Sequence, residues 1–104
     1  MDQIKDYVRD HYADRLSLND VVEIFHINST YLSECFKKAF GKNFVQYKNE
    51  VRIQRAKVLL QDTQLPIVQI AMMCGFENAS YFGMLFRQIT GSSPVQYRNK
   101  KTID

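Results

Sequence analysis

The sequence predicts an all-α fold of seven helices, arranged as two similar units joined by a long middle helix. Three observations predict it. Residues 41–49, GKNFVQYKN, return at 91–99 as GSSPVQYRN, with Gly41/Gly91, Val45/Val95, Gln46/Gln96, Tyr47/Tyr97 and Asn49/Asn99 identical and Lys48/Arg98 alike in charge. The match runs backwards at the same spacing, pairing Phe36 with Phe86, Lys37 with Arg87, Leu32 with Phe82, Tyr31 with Tyr81 and Thr30 with Ser80. Apolar residues recur at helical intervals within both copies, while glycine and proline number only four and two.

An opening amphipathic helix is expected over about 2–13, with Ile4, Tyr7, Val8 and Tyr12 on one face. A short apolar-periodic helix follows at 18–25, then a turn at HINS (26–29) and a second helix at about 29–40. The second copy repeats this with 67–74, a turn at GFEN (75–78) and a helix at about 79–90. Leu18, Val21 and Val22 match Ile67, Ile70 and Ala71 one residue out of step, so the second turn holds an extra residue. That turn needs a residue tolerant of positive φ, which Gly75 meets easily and His26 less well. Asn28 or Ser29, and Asn78, suit the start of each second helix, and Gly41 and Gly91 suit its end.

The middle helix is expected at 44–61 and a short final helix at 94–100. The boundaries read 1–43 for the first subdomain, 44–62 for a linker helix and 63–104 for the second subdomain.

At 12.2 kDa and 45% apolar residues, the chain can bury a core in one domain or in two very small ones. No run of 18 apolar residues and no signal-like start appears, so the expected protein is soluble, cytoplasmic and without membrane contact. Cys35 and Cys74 lack metal-site spacing and read as reduced core residues, and no cofactor or metal is expected. His11 and His26 have no nucleophile motif or phosphate-binding glycine loop near them, which argues against an enzyme.

Net charge is +3 but unevenly placed: residues 1–34 carry three Lys/Arg against seven Asp/Glu, net −4, and residues 35–104 eleven against four, net +7. A basic segment of this kind suits a polyanion. A middle helix of about 18 residues is ~27 Å long, close to one ~34 Å turn of B-DNA, the spacing of successive major grooves.

The stretch RIQRAKVLLQDTQLPIVQIAMMCGFENASYFGMLFRQITGSSPVQYR (52–98) resembles the signature region of the AraC/XylS family of bacterial transcription regulators. LSLNDVVEIFHINSTYLSECFKKAFGKNFVQY resembles the family's first helix-turn-helix. The combination of GF, SYF, F with a basic residue, G, SP and YR at these spacings carries the resemblance, which covers essentially the whole chain. It implies two helix-turn-helix subdomains built from homeodomain-like three-helix units, and regulation of transcription at double-stranded promoter DNA, as an activator or a repressor. It also implies RNA polymerase as a partner, a sensory or receiver domain in the full-length chain, and no small-molecule ligand in this part. A chain beginning at the opening helix fits the carboxy-terminal domain of something longer and equally a stand-alone regulator.

By helical spacing, Leu32, Cys35, Phe36 and Phe40 face inward in the first unit, as do Phe82, Leu85, Phe86 and Ile89 in the second. That leaves Thr30, Ser33, Glu34 and Lys37 outward, with Lys38 at the edge, and equivalently Ser80, Gly83, Met84 and Arg87. Lys37 and Arg87 suit phosphate contacts, with a solvated charge as the plain alternative. Helix starts near Asn43 and Ser92/Ser93 could hold phosphates through their amides, or the serines could be ordinary caps.

Family members often place arginine, the commonest reader of guanine, where this chain has Glu34 and Met84. Glu34 could accept from cytosine N4 or simply repel phosphate, and Met84 could pack on a thymine methyl. Gly83 weakens its helix by roughly 1 kcal/mol relative to alanine. It either permits close approach to DNA or is just a weak spot. Lys48, Arg52, Arg55 and Lys57 on the middle helix are expected to hold the units through acidic neighbours or to stay solvated. Tyr47 and Tyr97 are expected at the core edge. The competing reading is a protein-interaction module of the same fold that has lost base reading.

Overall fold

The computed structural model describes residues 2–14 and 17–103, with side chains to residue 100. Among these residues lie seven helices and no strand: α1 (Asp2–Asp10), α2 (Leu18–Phe25), α3 (Ser29–Phe40), α4 (Phe44–Asp62), α5 (Ile67–Met73), α6 (Ala79–Thr90) and α7 (Pro94–Ile103). The chain divides into two compact units, Met1–Val51 and Arg52–Asp104, so the boundary falls inside α4. The first half of the expected linker helix belongs to one core and the second half to the other.

In the first unit, Ile4 and Val8 from α1 join Val21, Leu32, Phe36 and Phe44 in a buried cluster. Phe36 is its centre: its ring meets Phe40 at 5.1 Å, Phe44 at 5.6 Å and Tyr47 at 5.6 Å. Burying a residue of this size contributes about 1.5–3 kcal/mol. In the second unit Ile53, Ala56, Leu60, Ile70, Ala71, Cys74, Phe76, Phe82 and Phe86 are buried. Phe82 takes the place of Leu32 and Phe86 that of Phe36.

The opening helix is shorter than its apolar spacing predicts. It ends at Asp10 because His11 turns back, its ring stacked 4.1 Å from Tyr7 and its Nδ1 3.1 Å from the Asp14 carboxylate, while the Asp14 amide donates to the His11 carbonyl. Side-chain bonds of this local kind compete with helix continuation.

The two inner turns close alike. His26 and Gly75 both lie in the left-handed region, at φ 54° and 96°. The next amide in each reaches five residues back, Ile27 to the Val22 carbonyl at 3.2 Å and Phe76 to the Ala71 carbonyl at 3.0 Å. Asn28 and Asn78 then cap α3 and α6 through their side-chain oxygens, and Gly41 and Gly91 end those helices at φ 71° and 85°.

Two partnerships tie α4 and α7 into their units. Arg52 is buried, with its guanidinium 5.5 Å over the Phe76 ring. Arg98 donates from Nε to the Leu60 carbonyl at 3.1 Å and from a terminal nitrogen to the Thr63 carbonyl at 3.3 Å. It thereby satisfies carbonyls at the end of α4. No helix among the described residues is long and apolar enough to cross a membrane.

Candidate nucleic-acid interface

α3 and α6 present the same surface twice. Position by position from 31 to 40 and from 81 to 90, the order of buried, half-buried and exposed residues is identical. The outward stripe of α3 is Thr30, Ser33, Glu34 and Lys37, and that of α6 is Ser80, Gly83, Met84 and Arg87. In both stripes the second member is half-buried and the other three are exposed. Residues at i, i+3, i+4 and i+7 form one continuous strip along a helix, which is the shape that enters a major groove.

Glu34, Lys37, Lys38 and Arg87 make no side-chain hydrogen bond or ion pair among the described residues. Lys37 and Arg87 lie in the last turns of their helices, beside the unpaired carbonyl ends that favour a cation. Met84 is 51% exposed, and Glu34 carries the carboxylate at the same place in the other stripe.

The helix starts differ from the simplest expectation. Asn43 caps α4 with a reciprocal pair: its amide donates to Gln46 Oε1 at 3.0 Å, and the Gln46 amide donates to Asn43 Oδ1 at 2.9 Å. Ser93 and Gln96 do the same at the start of α7, at 3.0 and 3.1 Å. These bonds consume two amides at each start. At α7 the first helical residue is Pro94, which has no amide hydrogen, so that start offers an anion fewer donors than α4 does.

Ser92 departs from its expected place on the surface. It is only 7% exposed. Its amide donates to Thr90 Oγ1, its carbonyl accepts from the same hydroxyl, and its own hydroxyl accepts from Lys100 Nζ at 3.3 Å. The first copy makes the matching link, eight residues long, as an ion pair between Lys42 and Glu50. Ile89, expected inward, is 38% exposed, and the inward place goes to Thr90, whose hydroxyl also donates to the Phe86 carbonyl at 2.8 Å.

One pair escaped the sequence reading. Tyr31 and Tyr81, in the first turn of each outward helix, are 62% and 45% exposed and flank the stripes. Their repetition at off-core positions was the signal. A hydrogen bond with Cys35 raises the Tyr31 phenol above its ordinary value. Tyr47 and Tyr97 are half-buried, Tyr47 stacked 4.9 Å from Phe40 and Tyr97 edge-on to Phe86 at 5.3 Å, so both are packing residues at the core edge.

Both cysteines are free thiols. Cys74 is buried, which pushes its thiol up to about 11 against the partial offset of Arg52 and Arg55. Among the described residues no cluster of three or more His, Cys, Asp or Glu could hold a metal.

The family profile described as a helix-turn-helix domain matches residues 21–100. An uncharacterized HTH-type transcriptional regulator of Escherichia coli is 38% identical over 97 residues, 93% of this chain and 34% of that protein. The melibiose operon regulatory protein of Escherichia coli is 33% identical over 96 residues, 92% of this chain and 32% of the relative. The chain thus spans about a third of the length of these curated relatives. Among solved structures, the C-terminal domain of a two-component response regulator from Fusobacterium nucleatum superposes with a TM-score of 0.88 at 36% identity, covering 93% of this chain and 95% of that one. The C-terminal domain of a response regulator from Geobacillus stearothermophilus gives a TM-score of 0.91 at 32% identity, covering 95% and 83%. With these matches added to a twice-repeated helix-turn-helix and its paired outward stripes, the chain belongs to the AraC-type helix-turn-helix family, as a DNA-binding domain of bacterial transcription-regulator type.

Proposed function

We propose that the chain binds a double-stranded promoter site by laying α3 and α6 in successive major grooves, one reading head per unit. The observation that carries this is the identical exposure pattern of the two helices, with uncommitted charge on both. Thr30, Ser33, Glu34, Ser80, Gly83 and Met84 face base edges. Lys37, Lys38 and Arg87 hold phosphates, with Asn43 and Ser93 at the neighbouring helix starts. Tyr31 and Tyr81 add an exposed phenol ring at one flank of each head. Ser92 leaves the set because it is buried.

In this reading the domain catalyses no reaction and works in the cytoplasm, recruiting or excluding RNA polymerase at the promoter. A sensory or receiver domain in the full-length chain is supported by its span of about a third of its relatives and by its likeness to C-terminal domains of response regulators.

A second reading, a protein-interaction module of the same fold, draws on the exposure of Met84. Selection from a randomised duplex pool at two salt concentrations separates the two. DNA reading predicts an enriched motif whose binding falls steeply with salt. No enrichment at either salt would favour the protein partner and refute the DNA reading.

A further inference from the structure

Gly83 sits inside α6, where glycine is a weak choice because it costs backbone entropy and adds no packing. Its backbone does not require it, since the positive-φ glycines are Gly41, Gly75 and Gly91. Space does not require it either: a Cβ built at 83 meets nothing within 4 Å. The fold itself therefore gives no reason for a missing side chain at this position. A reason remains only if something outside the protein comes close there, and position 83 lies in the outward stripe, directly before the exposed Met84.

We propose that Gly83 and Met84 form a methyl-receiving notch, and that the second head selects thymine through its 5-methyl group. The bare backbone at 83 is the floor of the notch and the Met84 side chain its wall. This rests on the DNA reading above and names the chemistry of one of its two heads. The thymine methyl is the apolar feature of base-pair edges in the major groove. A thioether on an unbranched, polarizable chain adapts to such a group, and it has no strong donor or acceptor with which to read anything else. The first head carries Ser33 and Glu34 at the matching positions. A carboxylate there disfavours burial of a methyl, so the preference belongs to one half-site.

The test replaces each thymine of the selected operator, one at a time, by deoxyuridine, which removes the methyl and leaves every hydrogen-bonding group in place. The expected result is a loss of about fourfold at one or two thymines in a single half-site, the value of burying one methyl-sized group. Met84→Ala should bind the thymine and deoxyuridine operators equally. Gly83→Ala should raise Tm yet weaken binding to the thymine operator, separating the notch from the fold.

Indifference to the methyl at every position, or a methyl effect that persists in Met84→Ala, overturns the proposal while leaving DNA binding itself intact. A chain that enriches no operator refutes the DNA reading and this proposal with it.

Discussion

Asn43 and Gln46 bond each other reciprocally across the first turn of α4, amide to side chain in both directions, at 3.0 and 2.9 Å. Ser93 and Gln96 repeat the arrangement at the start of α7. The glutamine and tyrosine shared by the two copies therefore have a structural cause. Glutamine returns at the third helical position because it closes a capping box, and tyrosine returns because it packs at the core edge. Replacing Gln96 by alanine should lower stability by about 1 kcal/mol with no change in the salt dependence of DNA binding. Chemical denaturation of the free domain and salt titration of the complex measure the two effects separately, and a changed salt slope would mean that Gln96 itself meets DNA.

His26 holds φ 54° where the second copy has Gly75 at φ 96°. A side chain in this region is strained and glycine is not. His26→Gly should therefore stabilise the first unit by about 0.5–1 kcal/mol, and Gly75→Ala should destabilise the second by a similar amount. Denaturant midpoints decide the matter, and a loss of stability in His26→Gly would show that the imidazole has packing worth more than the relief of strain.

Burial keeps the Cys74 thiol protonated to about 11, from an ordinary value of 9.0. Below pH 9 it is protonated in folded and unfolded chains alike, and its burial counts in full. Between pH 9 and 11 the unfolded chain loses that proton first, so the folded state loses stability as pH rises. The stability gap between the wild type and Cys74→Ala should narrow over that range. In native protein a thiol reagent should modify Cys35 and spare Cys74; rapid modification of Cys74 at neutral pH would contradict its burial.

Lys37 and Arg87 are exposed, uncommitted and in equivalent places on α3 and α6. Each alanine variant should weaken binding to all sequences and reduce the slope of log affinity against log salt by about one. A slope unchanged in both variants would remove the phosphate role.

The helical register of each copy, the inward aromatics and the left-handed residues at 26, 41, 75 and 91 were legible in the sequence, because apolar periodicity and glycine placement report local backbone geometry directly. The outward stripes were legible for the same reason. Ser92 and Ile89 were not. Where the first copy has Phe40, stacked on Tyr47, the second has Thr90, whose hydroxyl binds the backbone of Ser92. Position 92 is thereby buried. Ile89 corresponds to Ala39, which is exposed as well, and the half-buried place falls one residue later in both copies, at Phe40 and Thr90. A one-residue exchange of an aromatic ring for a hydroxyl draws the residue after the helix-ending glycine inward, and helical periodicity carries no information about it. The capping glutamines were visible as repeated letters, but their role appears only when side-chain oxygens are placed against amides. Neither burial nor charge decides which outward residues meet bases, since Glu34 and Met84 occupy one geometry with opposite chemistry.

Hydroxyl-radical footprinting on the selected operator shows whether both units read DNA. Two reading heads give two protected backbone patches about one helical turn apart, one weakened by Lys37→Ala and the other by Arg87→Ala. A single patch, or two variants that weaken the same patch, would contradict two-headed reading.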